Sequence, residues 1–198
     1  MSREPATLII LAGGEAKRMG FPKHQLMVDG MSVLDALQNR LAHLFVETII
    51  AGRDVANPPP GVRVAKDRFA VRSPLVGIHA GLTASLTNLT FVVACDMPYV
   101  EPSLVEYLLS RSESVNAVVP IVRSYYEPLC AVYRRTCLEP IERLIGKGML
   151  KVSELYRLVS VQDISEKQLR QHDSELQSFV NLNTSITMKE AAQQDEWR

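Results

Sequence analysis

The stretch "LIILAGGEAKRMGFPK", from Leu8 to Lys23, begins as an apolar run and ends as a cationic loop. The apolar run leads into Gly13 and Gly14, and Arg18 and Lys23 follow with a single carboxylate among them. A short, continuously apolar run is typical of a parallel strand that is covered on both faces. Because ligands of open parallel sheets bind beyond the carboxyl ends of the strands, we expect this loop at the ligand-binding edge.

The loop has the composition of an anion site. Gly13 and Gly14 lack a Cβ, so their N–H groups can approach a ligand closely, and Arg18 and Lys23 add positive charge. This set suits a triphosphate. Neither the P-loop pattern G-x-x-x-x-G-K-[ST] nor the dinucleotide pattern G-x-G-x-x-G occurs in the chain. The alternative is a simple glycine turn with solvated cations, and the combination of Arg18, Gly20 and Lys23 in one loop favours the phosphate site.

Apolar runs alternate with segments of helical period along the rest of the chain. We predict strands at "TLIILA", "ETIIAG", "VRVAKD", "LTFVVACD", "VNAVVP", "PLCAVYR" (as a return strand) and "RLVSV". Helices are expected after an N-cap at Ser32, after Pro74, from Pro102 to Arg111, beyond Arg135 and from about Thr187. This alternation predicts a three-layer, Rossmann-like α/β domain, with a mostly parallel sheet and helices on both faces.

Composition limits the possible functions. The chain has 198 residues, a formal net charge of +0 and 46% hydrophobic residues, as expected of one globular domain. The balanced charge disfavours a nucleic-acid partner held by bulk charge, and no apolar run approaches the roughly 20 residues of a membrane helix. No secretory signal is evident. Cys95, Cys130 and Cys137 show no C-x-x-C spacing, which favours a reducing cytoplasm over a disulfide framework or zinc site.

A carboxylate follows the clearest predicted strand, in "FVVACDMPYV". Asp96 lies at the same sheet edge as the first loop, where a carboxylate can hold Mg²⁺ against phosphate oxygens. The alternative is that Asp96 caps a turn or the following helix. The neighbouring cationic loop favours the metal role. Cys95 is interpreted as a packed small residue rather than a nucleophile.

The first loop resembles a known family. "LAGGEAKRMGFPK" is similar to the L-A-[AG]-G-x-[SA]-x-R-M-G-x-x-K signature of the molybdenum cofactor nucleotidyltransferases, which have the nucleotide-diphospho-sugar transferase fold. The resemblance implies a nucleoside triphosphate bound by Leu11, Ala12, Gly13, Gly14, Arg18 and Lys23, and Mg²⁺ bound by Asp96. L-A-G-G resembles the guanylyltransferases and L-A-A-G the cytidylyltransferases, so Gly13 indicates GTP.

Further segments extend the resemblance. "CDMP" matches the family's C-D-x-P, and "SPLVGIHAGL" matches its G-P-L-x-G with Ser73 in place of the usual glycine. Asp67 in "VRVAKDRF" is implied to contact the nucleotide, through the ribose or the metal, although an ordinary turn aspartate is an equal alternative. The guanylyltransferases have an asparagine after the second strand, but "ETIIAGRD" has none. That contact is made by the backbone, replaced by Arg53, or absent.

The acceptor end of the chain has two family-like segments. "SYYEPLCAVYR" resembles E-P-L-x-A-x-[YF], and "FVNLNTSITMKEA" resembles N-x-N-T-P-E-D with Ser185 and Ile186 in place of Pro-Glu. Asn181 and Asn183 are expected to face the same side of an extended stretch, where their amides would recognise a pterin or a phosphate. Capping ahead of the last helix is the alternative.

The resemblance implies a complete function. We expect one nucleotidyltransferase domain over residues 1–198, with a nucleotide-binding half at about 6–100 and an acceptor-binding half at about 101–190. It would transfer GMP from GTP to molybdenum-bound molybdopterin, with Arg18, Lys23 and Asp96 as the catalytic residues. Transient contacts with other molybdenum-cofactor biosynthesis proteins are expected. The alternatives are a CTP-dependent enzyme, a sugar-phosphate or terpenoid-precursor nucleotidyltransferase, and a non-catalytic protein that delivers the cofactor.

Overall fold

A computed structural model describes residues 4–12, 26–28, 30–53, 55 and 58–182. The predictions for Gly13, Gly14, Arg18, Lys23 and Asn183, and for a helix from about Thr187, lie outside the described residues. Across the described ranges, no helix combines the length and apolar character needed to cross a bilayer.

Strands and helices alternate as the sequence predicts. The strands are β1 (Ala6–Leu11), β2 (Met27–Val28), β3 (Met31–Ser32), β4 (Glu47–Ala51), β5 (Arg63–Ala65), β6 (Leu89–Ala94), β7 (Ala117–Val122), β8 (Tyr125–Tyr126), β9 (Cys130–Arg134) and β10 (Val161–Ile164). The α-helices are α1 (Val33–Leu41), α2 (Pro74–Ala84), α3 (Pro102–Ser110), α4 (Leu138–Gly146) and α5 (Glu166–Leu169). Short 3₁₀ segments lie at Ala42–Leu44, Arg135–Cys137, Val152–Arg157 and Gln177–Phe179.

The central sheet has the strand order β10-β7-β9-β6-β1-β4-β5, with β8 paired to β7. The pairs β1–β4, β1–β6, β4–β5 and β7–β10 are parallel. Strand β9 runs antiparallel to both β6 and β7. The prediction of a mostly parallel sheet with a return strand at "PLCAVYR" is therefore confirmed.

Two hydrophobic layers cover the sheet, as the three-layer prediction requires. The layer that contains Leu8 and Ile10 packs against α1, α3 and α5. The layer that contains Ile9 and Leu11 packs against α2, α4 and the segment 152–157. This division follows from the alternation of side chains along a strand, and it explains why β1 is buried at every position.

Helix starts agree with the sequence signals. Ser32 is the N-cap of α1 and accepts a hydrogen bond from the Asp35 N–H at 3.1 Å. Ser73 caps α2, which begins at Pro74, by accepting from the Val76 N–H at 3.3 Å. The serine that departs from the family's usual glycine therefore stabilises the start of α2, because it satisfies an otherwise unpaired N–H.

The predicted position of the strand "RLVSV" is wrong, because the observed strand begins four residues later. Arg157 ends a 3₁₀ segment, and β10 begins only at Val161, which pairs with Ala117 of β7. The Ser160 carbonyl accepts hydrogen bonds from the Asn116 and Ala117 N–H groups at 3.0 and 3.2 Å. Pairing with β7 therefore selects the less apolar "VQDI" as the strand, a tertiary effect that local pattern does not reveal.

Gly81 allows α2 to approach β1 closely, and its substitution tests this packing. A Cβ at Gly81 would lie 2.6 Å from Ile9 Cγ2 and 2.8 Å from Ile9 Cδ1. Ile9 is fully buried and β-branched, so it cannot move away cheaply. Overpacking costs about 1–3 kcal/mol and exceeds the roughly 1 kcal/mol gain in helix propensity. We expect Gly81→Ala to lower the free energy of unfolding by about 1 kcal/mol, measured by urea denaturation.

The matched control is Gly146→Ala at the end of α4. A Cβ there has no neighbour within 4 Å, so stability should be unchanged or rise by up to about 1 kcal/mol. Equal effects of the two substitutions would contradict the packing interpretation.

Candidate active site

Four parallel strands end at one level and define the candidate site. In the registers of the parallel pairs, Leu11 lies opposite both Ala51 and Ala94, and Ala51 lies opposite Ala65. Main-chain hydrogen bonds continue this alignment one residue further, from Ala12 N to Ala51 O at 2.9 Å and from Cys95 N to Leu11 O at 3.1 Å. The loops that follow β1, β4, β5 and β6 therefore leave the sheet side by side.

Leu11 and Ala12, both predicted to bind the nucleotide, lie at this edge. Each is 6% exposed, and their side chains pack into opposite core layers. The neighbouring loop begins at Gly52, where a Cβ would lie 3.2 Å from Val55 Cγ2 and 3.4 Å from the Ala12 carbonyl carbon. The chain after β4 thus passes close to Ala12, and a larger residue at position 52 would require a small shift.

Asp96 lies beyond the end of β6, as predicted. It is 3% exposed, and its Oδ2 accepts a hydrogen bond from Asn181 Nδ2 at 2.8 Å. Its carbonyl accepts from the Leu182 N–H at 2.9 Å. Helix α3 begins at Pro102 after Glu101, so Asp96 is not its N-cap. The structure brings together two predicted site residues that lie 85 positions apart in the chain.

The backbone near Asn181 differs from the prediction. Leu182 is helical, so the extended stretch expected to align Asn181 with Asn183 does not form at that residue. The reason is tertiary, because Leu182 packs into the core while its N–H binds the Asp96 carbonyl. Cys95 is 1% exposed and belongs to the same core layer, in agreement with its interpretation as a packed residue.

Asp67 and Arg53 form an ion pair between the loops that follow β5 and β4. Arg53 Nε lies 3.5 Å from Asp67 Oδ2, and the two side chains are 30% and 11% exposed. The Arg53 guanidinium also donates to the carbonyls of Phe69 and Val71. Arg53, one of the options for the missing asparagine contact, therefore holds Asp67 and the loop that follows it.

The ion pair is incompletely satisfied. Asp67 Oδ1 and Arg53 Nε are buried and have no hydrogen-bond partner within the described part of the chain. Burial raises the pKa of Asp67, and the charges of Arg53, Arg72 and His79 partly oppose this increase. An unsatisfied buried carboxylate oxygen is costly, and it is the kind of group that a bound ligand can satisfy.

Asp67 and Asp96 follow strands on either side of β1. Strands β5 and β6 are three positions apart in the order β6-β1-β4-β5. Neighbouring strands are about 4.8 Å apart, so the two carboxylates are separated by roughly 14 Å across the sheet edge. An extended ligand could contact both.

Within the described residues, no three His, Cys, Asp or Glu side chains converge as a metal cluster. Asp96 is therefore not part of a cluster of three such side chains among the described residues. Such a site suits a hard cation that takes its other ligands from water and phosphate oxygens, rather than a cation enclosed by protein.

A second feature lies at the other side of the sheet, in the half of the chain that follows Asp96. A depression of about 370 Å³ lies at the ends of β7 and β10, lined by Ile121, Arg123, Ser124, Asp163, Ser165, Glu166 and Gln168. Arg123 and Ser124 form the β7–β8 turn with φ of 48° and 68°. The Arg123 N–H donates to Glu166 Oε2 at 3.1 Å. Sequence reasoning missed this turn, because Arg-Ser lacks the Asn-Gly signal of such hairpins.

The mostly parallel sheet, with Asp96 and Asp67 just beyond the carboxyl ends of two of its strands, defines an α/β protein of the nucleotide-binding class. Residues 8–164 match the family described as "MobA-like NTP transferase domain". The chain belongs to this family and is a nucleotidyltransferase.

Individual relatives support this family assignment. The chain is 36% identical over 195 residues, 95% of each chain, to a molybdenum cofactor guanylyltransferase from Desulfosudis oleivorans. It is 37% identical to a probable molybdenum cofactor guanylyltransferase from Pelotomaculum thermopropionicum over 187 residues, 94% of this chain and 91% of the other.

Solved structures of other proteins superpose on this chain and identify its fold. Molybdopterin-guanine dinucleotide biosynthesis protein A from Archaeoglobus fulgidus superposes with a TM-score of 0.79 and 26% identity, covering 97% of this chain and 100% of the other. A 2-C-methyl-D-erythritol 4-phosphate cytidylyltransferase from Thermus thermophilus shares the fold, with a TM-score of 0.67 and 17% identity, covering 94% and 98%. The predicted nucleotide-diphospho-sugar transferase fold is confirmed.

The Arg53–Asp67 pair can be tested by a double-mutant cycle. We expect Arg53→Gln to lower the free energy of unfolding at pH 7 by about 1–3 kcal/mol, because a buried carboxylate loses its counter-charge. Adding Asp67→Asn should recover part of this loss, because it removes the uncompensated charge. Urea unfolding of the two single variants and the double variant measures the coupling.

The loss of stability in Arg53→Gln should depend on pH in a direction that the pKa of Asp67 defines. Without Arg53, the pKa of Asp67 rises further above its ordinary value, so the folded state binds the proton more tightly than the unfolded state. The stability deficit of Arg53→Gln should therefore be full above the raised pKa and shrink as the pH falls through it. Arg143→Gln, which breaks an exposed pair with Glu139, is the control and should cost about 0.5 kcal/mol or less. Strict additivity of Arg53→Gln and Asp67→Asn would contradict the coupling.

Proposed function

We propose that the protein transfers GMP from GTP to the phosphate of molybdenum-bound molybdopterin, which forms molybdopterin guanine dinucleotide and pyrophosphate. The proposal depends on one observation, the hydrogen bond of the buried Asp96 with the half-buried Asn181 just beyond the end of β6, the strand next to β1. The relatives named as molybdenum cofactor guanylyltransferases supply the choice of substrates.

The triphosphate is assigned to the first loop. Leu11 and Ala12 begin it at the sheet edge, and Gly13, Gly14, Arg18 and Lys23 continue it in the sequence. Glycine N–H groups and two cations would neutralise the phosphates and steady the leaving pyrophosphate. The unpaired Oδ1 of Asp67 would accept a hydrogen bond from the nucleotide, with Arg53 holding the carboxylate in place.

Asp96 is assigned to Mg²⁺. Its buried carboxylate uses Oδ2 to accept from Asn181, which fixes the orientation of the group. A carboxylate oxygen is a ligand that Mg²⁺ prefers, and a cation bound there can take its remaining ligands from water and substrate phosphates, so Asp96 fits Mg²⁺. When bound, Mg²⁺ would offset the charge that develops on the triphosphate.

The chemistry requires positioning rather than a dedicated base. An oxygen of the acceptor phosphate attacks the α-phosphorus of GTP in line and forms a new P–O bond. The bond between the α-phosphorus and the oxygen that bridges the α- and β-phosphates breaks, which releases pyrophosphate. A phosphate monoester is already an anionic nucleophile at neutral pH. Arg18 and Lys23 would neutralise charge, while Asp96 and Asn181 fix the reacting end of the site.

The division of the chain follows from these assignments. The nucleotide-binding half at about 6–100 contains Asp67 and Asp96, and the acceptor half at about 101–190 contains Asn181 and Asn183, all within one catalytic domain. The amides would recognise the acceptor's pterin or phosphate. We place this activity in the cytoplasm, with transient contacts to other proteins of molybdenum-cofactor biosynthesis.

Asp96→Asn tests the metal assignment. We expect pyrophosphate release from GTP, Mg²⁺ and molybdenum cofactor to fall by at least about 100-fold, because a neutral amide cannot replace a carboxylate ligand of Mg²⁺. Asp35→Asn, on the exposed surface of α1, is the matched control and should turn over normally. Thermal unfolding should show both variants folded. Normal turnover by folded Asp96→Asn would overturn the assignment.

Nucleotide choice separates the proposal from its nearest alternative. With GTP and CTP assayed side by side on the same acceptor, we expect GTP to give a kcat/KM at least about 10-fold higher, because a purine site rejects a smaller base with different hydrogen-bonding edges. A kcat/KM for CTP equal to or above that for GTP would instead identify a cytidylyltransferase. Absence of pyrophosphate with either nucleotide would support a delivery protein.

A further inference from the structure

Glu127 lies in a short, rigid connection between β8 and β9. Its N–H donates to the Pro120 carbonyl of β7 at 2.9 Å, and its carbonyl accepts from the Cys130 N–H at 3.2 Å. The nearby Leu129 carbonyl accepts from the Ala94 N–H at 2.9 Å. These hydrogen bonds hold the connection against β7 and against the end of β6.

The register of β9 places Glu127 beside the loop that contains Asp96. Strand β9 runs antiparallel to β6, with Cys130 opposite Val93. Residues 127–129 therefore run alongside residues 94–96, just beyond the end of β6. Strands β4 and β5, with Asp67, lie on the other side of β6 in the sheet order. Glu127 is thus on the side of Asp96 that is opposite to Asp67.

The side chains around Glu127 indicate which face of the sheet it occupies. The preceding Tyr126 packs on Tyr156, with ring centroids 4.8 Å apart, and Tyr156 packs against the layer of α2 and α4. Successive side chains alternate between faces, so Glu127 is directed to the opposite layer. In agreement, the Glu127 charge helps to raise the pKa of the Cys130 thiol, which lies in the layer of α1, α3 and α5. Leu182, next to Asn181, packs into that same layer.

The Glu127 carboxylate lacks a partner in the described part of the chain. No hydrogen bond or ion pair to it is found there, although the residue is half-buried and burial raises its pKa. Other carboxylates that are partly or fully buried, such as Asp173 and Glu47, are hydrogen-bonded. A desolvated carboxylate without a partner, at the edge of a substrate site, is suited to a ligand that brings its own donors.

We propose that Glu127 is a specificity residue that binds the amino-pyrimidinone edge of the acceptor's pterin, an inference that rests on the proposed function. That edge presents a ring N–H and an adjacent amino group, which match the two oxygens of a carboxylate. Guanine has the same edge. The position of Glu127 away from β4, β5 and Asp67 assigns it to the acceptor rather than to GTP.

The test uses the full chain and steady-state GMP transfer to molybdenum-bound molybdopterin. Glu127→Ala should raise the KM for the acceptor roughly 10- to 100-fold, because two hydrogen bonds to a buried edge are lost. Glu127→Gln, which keeps one acceptor oxygen, should have a smaller effect. The KM for GTP and the Mg²⁺ concentration for half-maximal rate should not change. Glu113→Ala, an exposed glutamate before β7, is the matched control and should leave all three values unchanged.

Thermal unfolding supplies a readout that does not depend on turnover. Because the carboxylate has no partner in the described protein, Glu127→Gln should melt at the same temperature as the wild type or higher. A lower melting temperature would indicate a structural role and would overturn the inference.

The kinetic outcomes also separate the inference from the function on which it rests. Wild-type protein that forms no pyrophosphate refutes the proposed function, and the inference falls with it. Active wild type with an unchanged acceptor KM in Glu127→Ala refutes the inference alone. A raised KM for GTP, or an altered Mg²⁺ requirement, would assign Glu127 to guanine or to the metal and would equally overturn it.

Discussion

The parallel register of β6, β1, β4 and β5 is the constraint on which the site depends. The four strands end at one level, at Ala94, Leu11, Ala51 and Ala65, so the loops that follow them start side by side. Hydrogen bonds from Ala12 and Cys95 extend this alignment into the loops themselves. Since both faces of the sheet are covered by helices, its edge is where polar groups can meet a ligand without disturbing the core.

Contacts between distant segments complete that edge. Asn181 and Leu182 bind the side chain and the carbonyl of Asp96, so residues 181 and 182 lie against the loop that follows β6. The reversed strand β9 has a different effect, because it returns the chain to the end of β6 and brings the connection containing Glu127 there. A purely parallel sheet would place a crossover at this position instead of a fixed turn.

Electrostatics differ between the two sides of Asp96. On the β4–β5 side, Arg53 compensates Asp67 and binds the carbonyls of the following loop, so charge and loop shape are linked. On the β7–β9 side, Glu127 has no counter-charge in the described part of the chain, and burial alone raises its pKa. Groups left unsatisfied by the fold cost stability, and their concentration along one edge fits a surface organised around ligands.

The sequence by itself determined the class of fold, the family and the position of Asp96 after β6. Apolar runs, the N-cap at Ser32, the carboxylate after β6 and the similarity of the first loop sufficed, because each depends on local pattern. Only the tertiary structure decided that β10 starts at Val161, that Arg53 pairs with Asp67, and that Asn181 binds Asp96. Those facts depend on which strands become neighbours, and local periodicity contains no information about partners that lie 14 or 85 residues apart along the chain.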